Sequence, residues 1–220
     1  MNRSATLRDH PAIPRGRLRP PRQERSRRSQ ERVLDTLASM LATRPFERIT
    51  VADLARRARV AVTSIYARFE DKRALVLALH ERHVVETTRF CDALLEPAAW
   101  QKADLETIVR SIIPRIVAHQ RPRTQLIRTV LIIGDRDVEL RVAHLMRHAS
   151  LQLATLLRPR LPHLAPAARD RAVDFALRAV MAVLQQRLVF PTTEPGRYRL
   201  SDKELVRRLG DLFLAAVGRT

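Results

Sequence analysis

Thr63, Ser64, Tyr66 and Arg68 stand close together in the stretch VADLARRARVAVTSIYARFEDK, residues 51–72. Three hydroxyls and a guanidinium at this spacing fall on the polar side of a short helix. Its apolar side starts at Val62 and returns at Ile65 and Phe69. Groups of this kind suit hydrogen bonding and ion pairing to a polyanion. The residues just before them form a second short pattern, with Val51, Leu54, Ala55 and Ala58 at i, i+3, i+4 and i+7. Two short helices joined by a tight turn, the second with an outward polar face, predict a helix-turn-helix. In that arrangement the first helix braces, and the second enters the DNA major groove, which admits one α-helix. Leu54, Val60, Ile65 and Phe69 are expected to hold the second helix rigid. The structural alternative is an ordinary corner between two helices of an all-helical protein.

Charge favours the DNA reading. The 220-residue chain carries 41 basic and 23 acidic residues, a net charge of +18. Only Lys72, Lys102 and Lys203 are lysines; the other 38 cations are arginines. Base composition of the genome explains a choice of Arg over Lys, but not the excess of cations. An excess this large points to a polyanionic partner. It is concentrated early, with 18 basic and 8 acidic residues in positions 1–73.

The elements that must position these residues are helical. Apolar residues make up 45% of the chain and aromatics 4%, with only 5 Gly, a mix that favours helix over sheet. Residues 1–26 contain Pro11, Pro14, Pro20 and Pro21 without apolar periodicity and are expected to form a disordered basic arm. A helix is expected over about 27–43, with Val33, Leu34, Leu37, Ala38 and Leu41 as its buried stripe and Pro45 as its stop. Thr50 with Asp53 is a capping-box variant, and Asp71 is the expected cap of a long helix from Lys72 to about Leu95.

Past Pro97 the chain is expected to stay helical, with a 3.6-residue period from Leu105 to Ile116 and a kink at Pro114, until Arg121-Pro122 interrupts it; a short helix over 126–133, closed by Gly134, follows. The next opens at Asp137 and runs to about 158, and another runs from Pro166 to about Phe190. Ser201 and Glu204 cap the last. This is an all-α chain of about nine helices.

Other chemistry has thin support. The lone Cys91 allows no internal disulfide and no Cys-based zinc site; it reads as a small core residue, or alternatively a redox thiol. His80 with His83, and His144 with His148, lie one helical turn apart, but no nearby acid completes a metal site. His144, His148 and Gln152 share a helix face that could line a ligand cavity. No nucleophile elbow, phosphate-binding Gly loop or paired-carboxylate motif is present, so neither an enzyme nor a cofactor is expected. No apolar run reaches the roughly 20 residues of a membrane span, and the N-terminus lacks a secretory apolar core. A cytoplasmic setting is expected, on the nucleoid when DNA is bound.

The segment ITVADLARRARVAVTSIYARFEDKRALVLAL resembles the DNA-binding segment of the tetracycline-repressor (TetR) family, and the resemblance covers residues 30 to about 80. Tyr66-x-x-Phe69 and Asp71-Lys72-x-x-Leu75 carry it, after the Phe-Glu-Arg-Ile-Thr approach. It implies a DNA-binding domain over 27–73 and a ligand-sensing, dimerising helical body over 74–220. Val62 and Thr63 would meet base edges, and Ala67 and Arg68 would make further base or backbone contacts. Thr50, Ser64, Tyr66 and Lys72 would bind phosphate. The implied partners are a palindromic double-stranded operator, a small-molecule effector and a second copy of the chain. That copy would pack through the last two helices, about 166–190 and 201–217, along Val173, Leu177, Val180, Met181 and Leu184. The function implied is a regulator, a repressor released by its ligand; the alternative is a constitutive DNA-binding or nucleoid-associated protein. Two positions depart from the family: Arg59 stands where the turn usually has Gly, and Ala61 where the recognition helix usually has a capping residue. Both predict a strained turn.

Overall fold

The computed structural model describes residues 24–190 and 196–218. These form nine α-helices: α1 Glu24–Leu41, α2 Val51–Ala58, α3 Val62–Tyr66, α4 Lys72–Leu94, α5 Leu105–Gln120, α6 Thr124–Ile133, α7 Arg136–Leu157, α8 Pro166–Val189 and α9 Asp202–Gly218. Short 3-10 turns link several of them, and no strand occurs among the described residues. Most of the expected basic arm lies outside the described residues. Its last three positions, from Glu24, already belong to α1.

The described residues fall into two compact units, one of 24–84 with 125–144, the other of 85–124 with 145–190 and 196–218. In the first unit the stripe of α1 is buried: Val33, Leu34, Leu37, Met40 and Leu41 are each at most 3% exposed. Against it pack Leu54 and Ala55 of α2, Ile65 of α3, Phe69, and Leu75 and Val76 of α4. Leu126 and Val130 of α6 and Val138 of α7 complete the same core.

Local chemistry sets the ends of these helices. Thr50 caps α2: its hydroxyl accepts from the Asp53 amide at 3.0 Å. Asp71 caps α4 by accepting from the Ala74 amide at 2.6 Å. α2 ends at Arg59, which adopts the left-handed conformation at φ 53°, ψ 50°. The amide of Val60 then reaches back to Ala55 O at 3.0 Å, closing the helix as a Gly-terminated one would close. A side chain in this conformation costs roughly 1–2 kcal/mol. Ala61 follows with extended backbone and no side-chain cap for α3.

Asp135, not Asp137, starts α7. Its Oδ1 accepts from the amides of Asp137 and Val138 at 3.1 and 3.4 Å. The Oδ2 atom takes a 3.0 Å bond from Arg73, the second residue of α4. One carboxylate, 4% exposed, therefore ties the start of α4 to the α6–α7 junction.

In the second unit α9 packs on α5 and α8. Ile108, Leu157, Val173, Ala176, Leu209 and Phe213 form the centre of its core. Ser201 caps α9 as its spacing predicts, accepting from the Glu204 amide at 3.2 Å. The α8 stripe singled out as an intermolecular interface faces this core instead. Val173, Leu177, Val180 and Leu184 are 0, 6, 2 and 7% exposed within one chain, and Met181 is half-buried. The outward apolar residues of these helices are Phe175, 65% exposed, and Leu212, 38%.

Three outcomes follow from this packing. Arg59→Gly relieves the left-handed residue and Ala61→Ser supplies a cap, so each variant should gain up to about 1 kcal/mol in urea unfolding. Asp135→Ala should lose about 1–3 kcal/mol, because it leaves two amides and Arg73 without their acceptor, whereas Asp137→Ala should stay within about 0.5 kcal/mol.

The third concerns pH. Burial, and then the charge of Arg141, push the pKa of His80 down to about 4. Its ring is 3% exposed and Nδ1 has no hydrogen-bond partner. Unfolded, the imidazole takes up a proton near pH 6.5; folded, it does so only near 4. The unfolded state therefore binds more protons in that window, and stability falls as the pH falls from about 6.5 toward 4. The full loss is about 3 kcal/mol. His80→Leu should flatten this part of the stability profile measured by urea titration at a series of pH values.

Candidate nucleic-acid interface

α3 is only five residues long, and its two faces differ sharply. Ile65, and Phe69 just beyond the helix, are each 1% exposed. Opposite them Val62 is 39% and Tyr66 50% exposed, and Ala61, Thr63 and Ala67 are exposed as well. Ser64 and Arg68 lie half-buried at the edge. The helical bonds continue past Tyr66, with the Ala67 amide on Thr63 O and the Phe69 amide on Ile65 O, both at 2.9 Å. The exposed row is therefore presented on a continuous turn of fixed backbone.

Arg68 does not project freely. Its Nε and Nη2 donate to Ser26 Oγ at 3.2 and 2.7 Å, and Nη1 donates to Ser64 O at 2.9 Å. The guanidinium thus clamps the end of the recognition helix to the start of α1, and two of its five N–H groups remain. Ser26 had no sequence signal: it lies 42 positions from Arg68, in a run of residues with no apolar period.

Lys72 has a similar double life. Its Nζ donates to Phe46 O at 2.7 Å and Glu47 O at 3.4 Å, and sits 4.2 Å from the centre of the Phe46 ring. Burial lowers its pKa, and the Glu47 carboxylate opposes that shift. The ammonium holds the Phe46–Arg48 turn and keeps one N–H for an outside acceptor. Thr50 is exposed, but its hydroxyl is engaged in the α2 cap. The Arg56 guanidinium, then the Thr50 hydroxyl, hold the Asp53 carboxyl below its usual range. Arg48, Arg57 and Arg59 are exposed, and no acid among the described residues pairs with them. They add positive charge around α2 and α3 that spacing alone did not single out.

The other candidates lie elsewhere. His148 Nε2 is 2.7 Å from Asp92 Oδ1, which also accepts from Gln152 Nε2 at 2.6 Å. Asp92 had escaped the sequence reading because it sits on α4, 56 residues away. His144 is exposed and takes no part in this cluster. Cys91 is half-buried; burial, and then Asp92, push its thiol up to about 11, which leaves little thiolate at neutral pH. Among the described residues no group of three or more His, Cys, Asp or Glu is placed to hold a metal ion, and no helix is long and apolar enough to cross a membrane.

Comparison with known proteins agrees with this geometry. Residues 33–79 match the bacterial regulatory proteins of the tetR family, a span that runs from the buried stripe of α1 through α2 and α3 into α4. No curated protein matches the chain. A putative TetR-family transcriptional regulator from Mesorhizobium loti is similar in structure with a TM-score of 0.68, at 14% identity, over 89% of this chain and 98% of its own. A TetR-family regulator from Streptomyces coelicolor gives a TM-score of 0.60 at 16% identity, over 86% and 80%. The transcriptional regulator FadR from Bacillus subtilis, solved with stearoyl-CoA, gives 0.50 at 14% identity, over 86% and 98%. At these identities the structural likeness speaks for the fold, and the matched segment speaks for the helix-turn-helix. Together they show that residues 33–79 carry the helix-turn-helix segment of the tetR family of bacterial regulatory proteins, and that the chain shares the fold of these solved regulators.

Proposed function

We propose that the protein is a ligand-responsive repressor that binds a palindromic operator as a homodimer and leaves it when a small molecule binds. The observation that carries this reading is the outward row of α3, Val62, Thr63, Tyr66 and Ala67, backed by the buried Ile65 and Phe69. Val62, Thr63 and Ala67 are the base-reading residues. Their methyl groups favour contact with thymine methyls in the major groove. Ser64, Tyr66, Lys72 and Thr50 hold phosphates, which fix register without reading sequence. Arg68, bound to Ser26 and Ser64 O, acts first as a positioning residue for α3.

Dimerisation through α8 and α9 is supported by the outward Phe175 and Leu212. Two recognition helices then meet half-sites about 34–36 Å apart. A ligand weakens operator binding by the difference in its affinity for the two spacings. α4 starts at Lys72, beside the helix-turn-helix, and continues into the second unit, so it is the lever in this scheme. Ligand control is also supported by the likeness to FadR, which was solved with stearoyl-CoA. A second reading, a constitutive DNA-binding protein, draws on the net charge of +18.

Selection of bound DNA from a random pool decides between them: a palindrome is expected, and sequence-indifferent binding would favour the second reading. On a panel of single-base operator variants, Thr63→Ala should shift base preference symmetrically in both half-sites, by about 1–3 kcal/mol at one base pair. Lys72→Ala should weaken every DNA by a similar factor and reduce the salt slope by about one unit. Unchanged base preference in Val62→Ala, Thr63→Ala and Ala67→Ser alike would refute major-groove reading by α3.

A further inference from the structure

The second unit contains an open groove of about 1150 Å³ between the end of α5, the start of α6, the end of α8 and the start of α9. Its floor and walls are apolar, built from Val117, Leu184, Leu188, Phe190, Leu205 and Val206. Four cations line it: Arg121, Arg187, Arg199 and Lys203. One carboxylate faces them. Asp202 takes a 3.0 Å bond from Arg121 on one oxygen and a 2.9 Å bond from Arg187 on the other. Arg199 and Lys203 have no acid partner among the described residues, so the lining carries an uncompensated positive charge. Among the described residues the Gln120 amide, also in the lining, has the Met181 sulfur at 3.9 Å as its hydrogen-bond partner.

Each half of this lining asks for something different. Water over the apolar floor is unfavourable in proportion to the area left wet. The cations ask for an anion, with geometry that suits a carboxylate on guanidinium. A neutral hydrocarbon satisfies the floor alone, and an inorganic anion the rim alone. At about 1150 Å³ the groove is somewhat above the roughly 300–1,000 Å³ common for small-molecule sites, large enough in volume for a chain of about ten carbons.

We propose that this groove binds an amphiphilic organic anion, with its apolar body along Val117, Leu184 and Leu188 and its carboxylate on Arg199 and Lys203. The same site is a candidate for effector control, and that part rests on the repressor reading above. The groove's edge includes Thr124, the first residue of α6. Two and six residues further on, Leu126 and Val130 belong to the core that holds α2, α3 and the start of α4. A ligand that shifts the start of α6 therefore acts on the residues that back the recognition helix.

The test uses the full-length protein and decanoate, followed by titration calorimetry. Decanol, with the same chain and no charge, and decyltrimethylammonium, with the charge reversed, are the controls. Saturable binding of one decanoate per chain is expected, at least about tenfold tighter than either control, the worth of one good charged contact. The double variant Arg199→Gln/Lys203→Gln, on exposed positions, should weaken it by at least about tenfold. Ala118→Trp, which fills the groove from an exposed position of α5, should abolish it. Absence of saturable binding, equal binding of decanol, or binding unchanged in both variants would overturn the site. Operator release by decanoate is scored separately. Release in the wild type and not in the Gln variant supports the effector role; binding at the groove without release keeps the site and removes that role. Failure to find any operator bears on the repressor reading alone.

Discussion

A helix of five residues does not persist on its own, because nucleating the first turn fixes several dihedrals for a single hydrogen bond. α3 exists because Ile65 and Phe69 are buried in a core supplied by α1, α2, α4, α6 and α7. That burial decides the rest of the interface. It fixes the rotation of the helix, and so determines that Val62, Thr63, Tyr66 and Ala67 face outward. It also makes an uncapped start at Ala61 and a left-handed Arg59 tolerable, since burial of two large apolar side chains offsets the roughly 2–3 kcal/mol these two features cost.

The cations near this helix divide into two kinds. Arg68, Lys72 and Arg73 each hold a part of the first unit together, on Ser26 and Ser64, on the Phe46–Arg48 turn, and on Asp135 respectively. Arg48, Arg57 and Arg59 have no such partner among the described residues and remain open to an outside anion. An abundance of arginine therefore does not translate directly into contacts with DNA. Most of the groups that fix geometry are not the ones that supply free charge, and Lys72 does both, holding the Phe46–Arg48 turn while keeping one N–H for an outside acceptor.

In the second unit the same economy governs apolar surface. α8 turns its most regular stripe toward α5 and α9, where Val173 and Ala176 reach 0% exposure. What is left outside includes Leu151 of α7, Phe175 of α8 and Leu212 of α9 on the helix faces, and a basic, apolar-floored groove near the helix ends. These are the surfaces on which a partner copy and a ligand have to compete with water.

Much of this was written locally. The helices, the caps at Thr50, Asp71 and Ser201, and the buried stripe of α1 were legible because each depends on residues three or four positions apart, within the reach of one helical turn. Arg59 in the turn was legible only through the family resemblance, as a side chain standing where Gly is usual. The type of each exposed residue on α3 followed from its period. Long-range choices were not legible. Nothing in the order of residues says which of 38 arginines meets Ser26, or that Asp92 meets His148. Asp137 was the expected start of α7, but Asp135 caps it, with one oxygen on the Asp137 and Val138 amides and the other on Arg73, a partner 62 residues away. The stripe of α8 was apolar enough for either a core or an interface, because periodicity reports that a face will be buried and not what will bury it. Sequence determined the helices and their sidedness; the packing of one helix against another decided which side each group would spend its hydrogen bonds on.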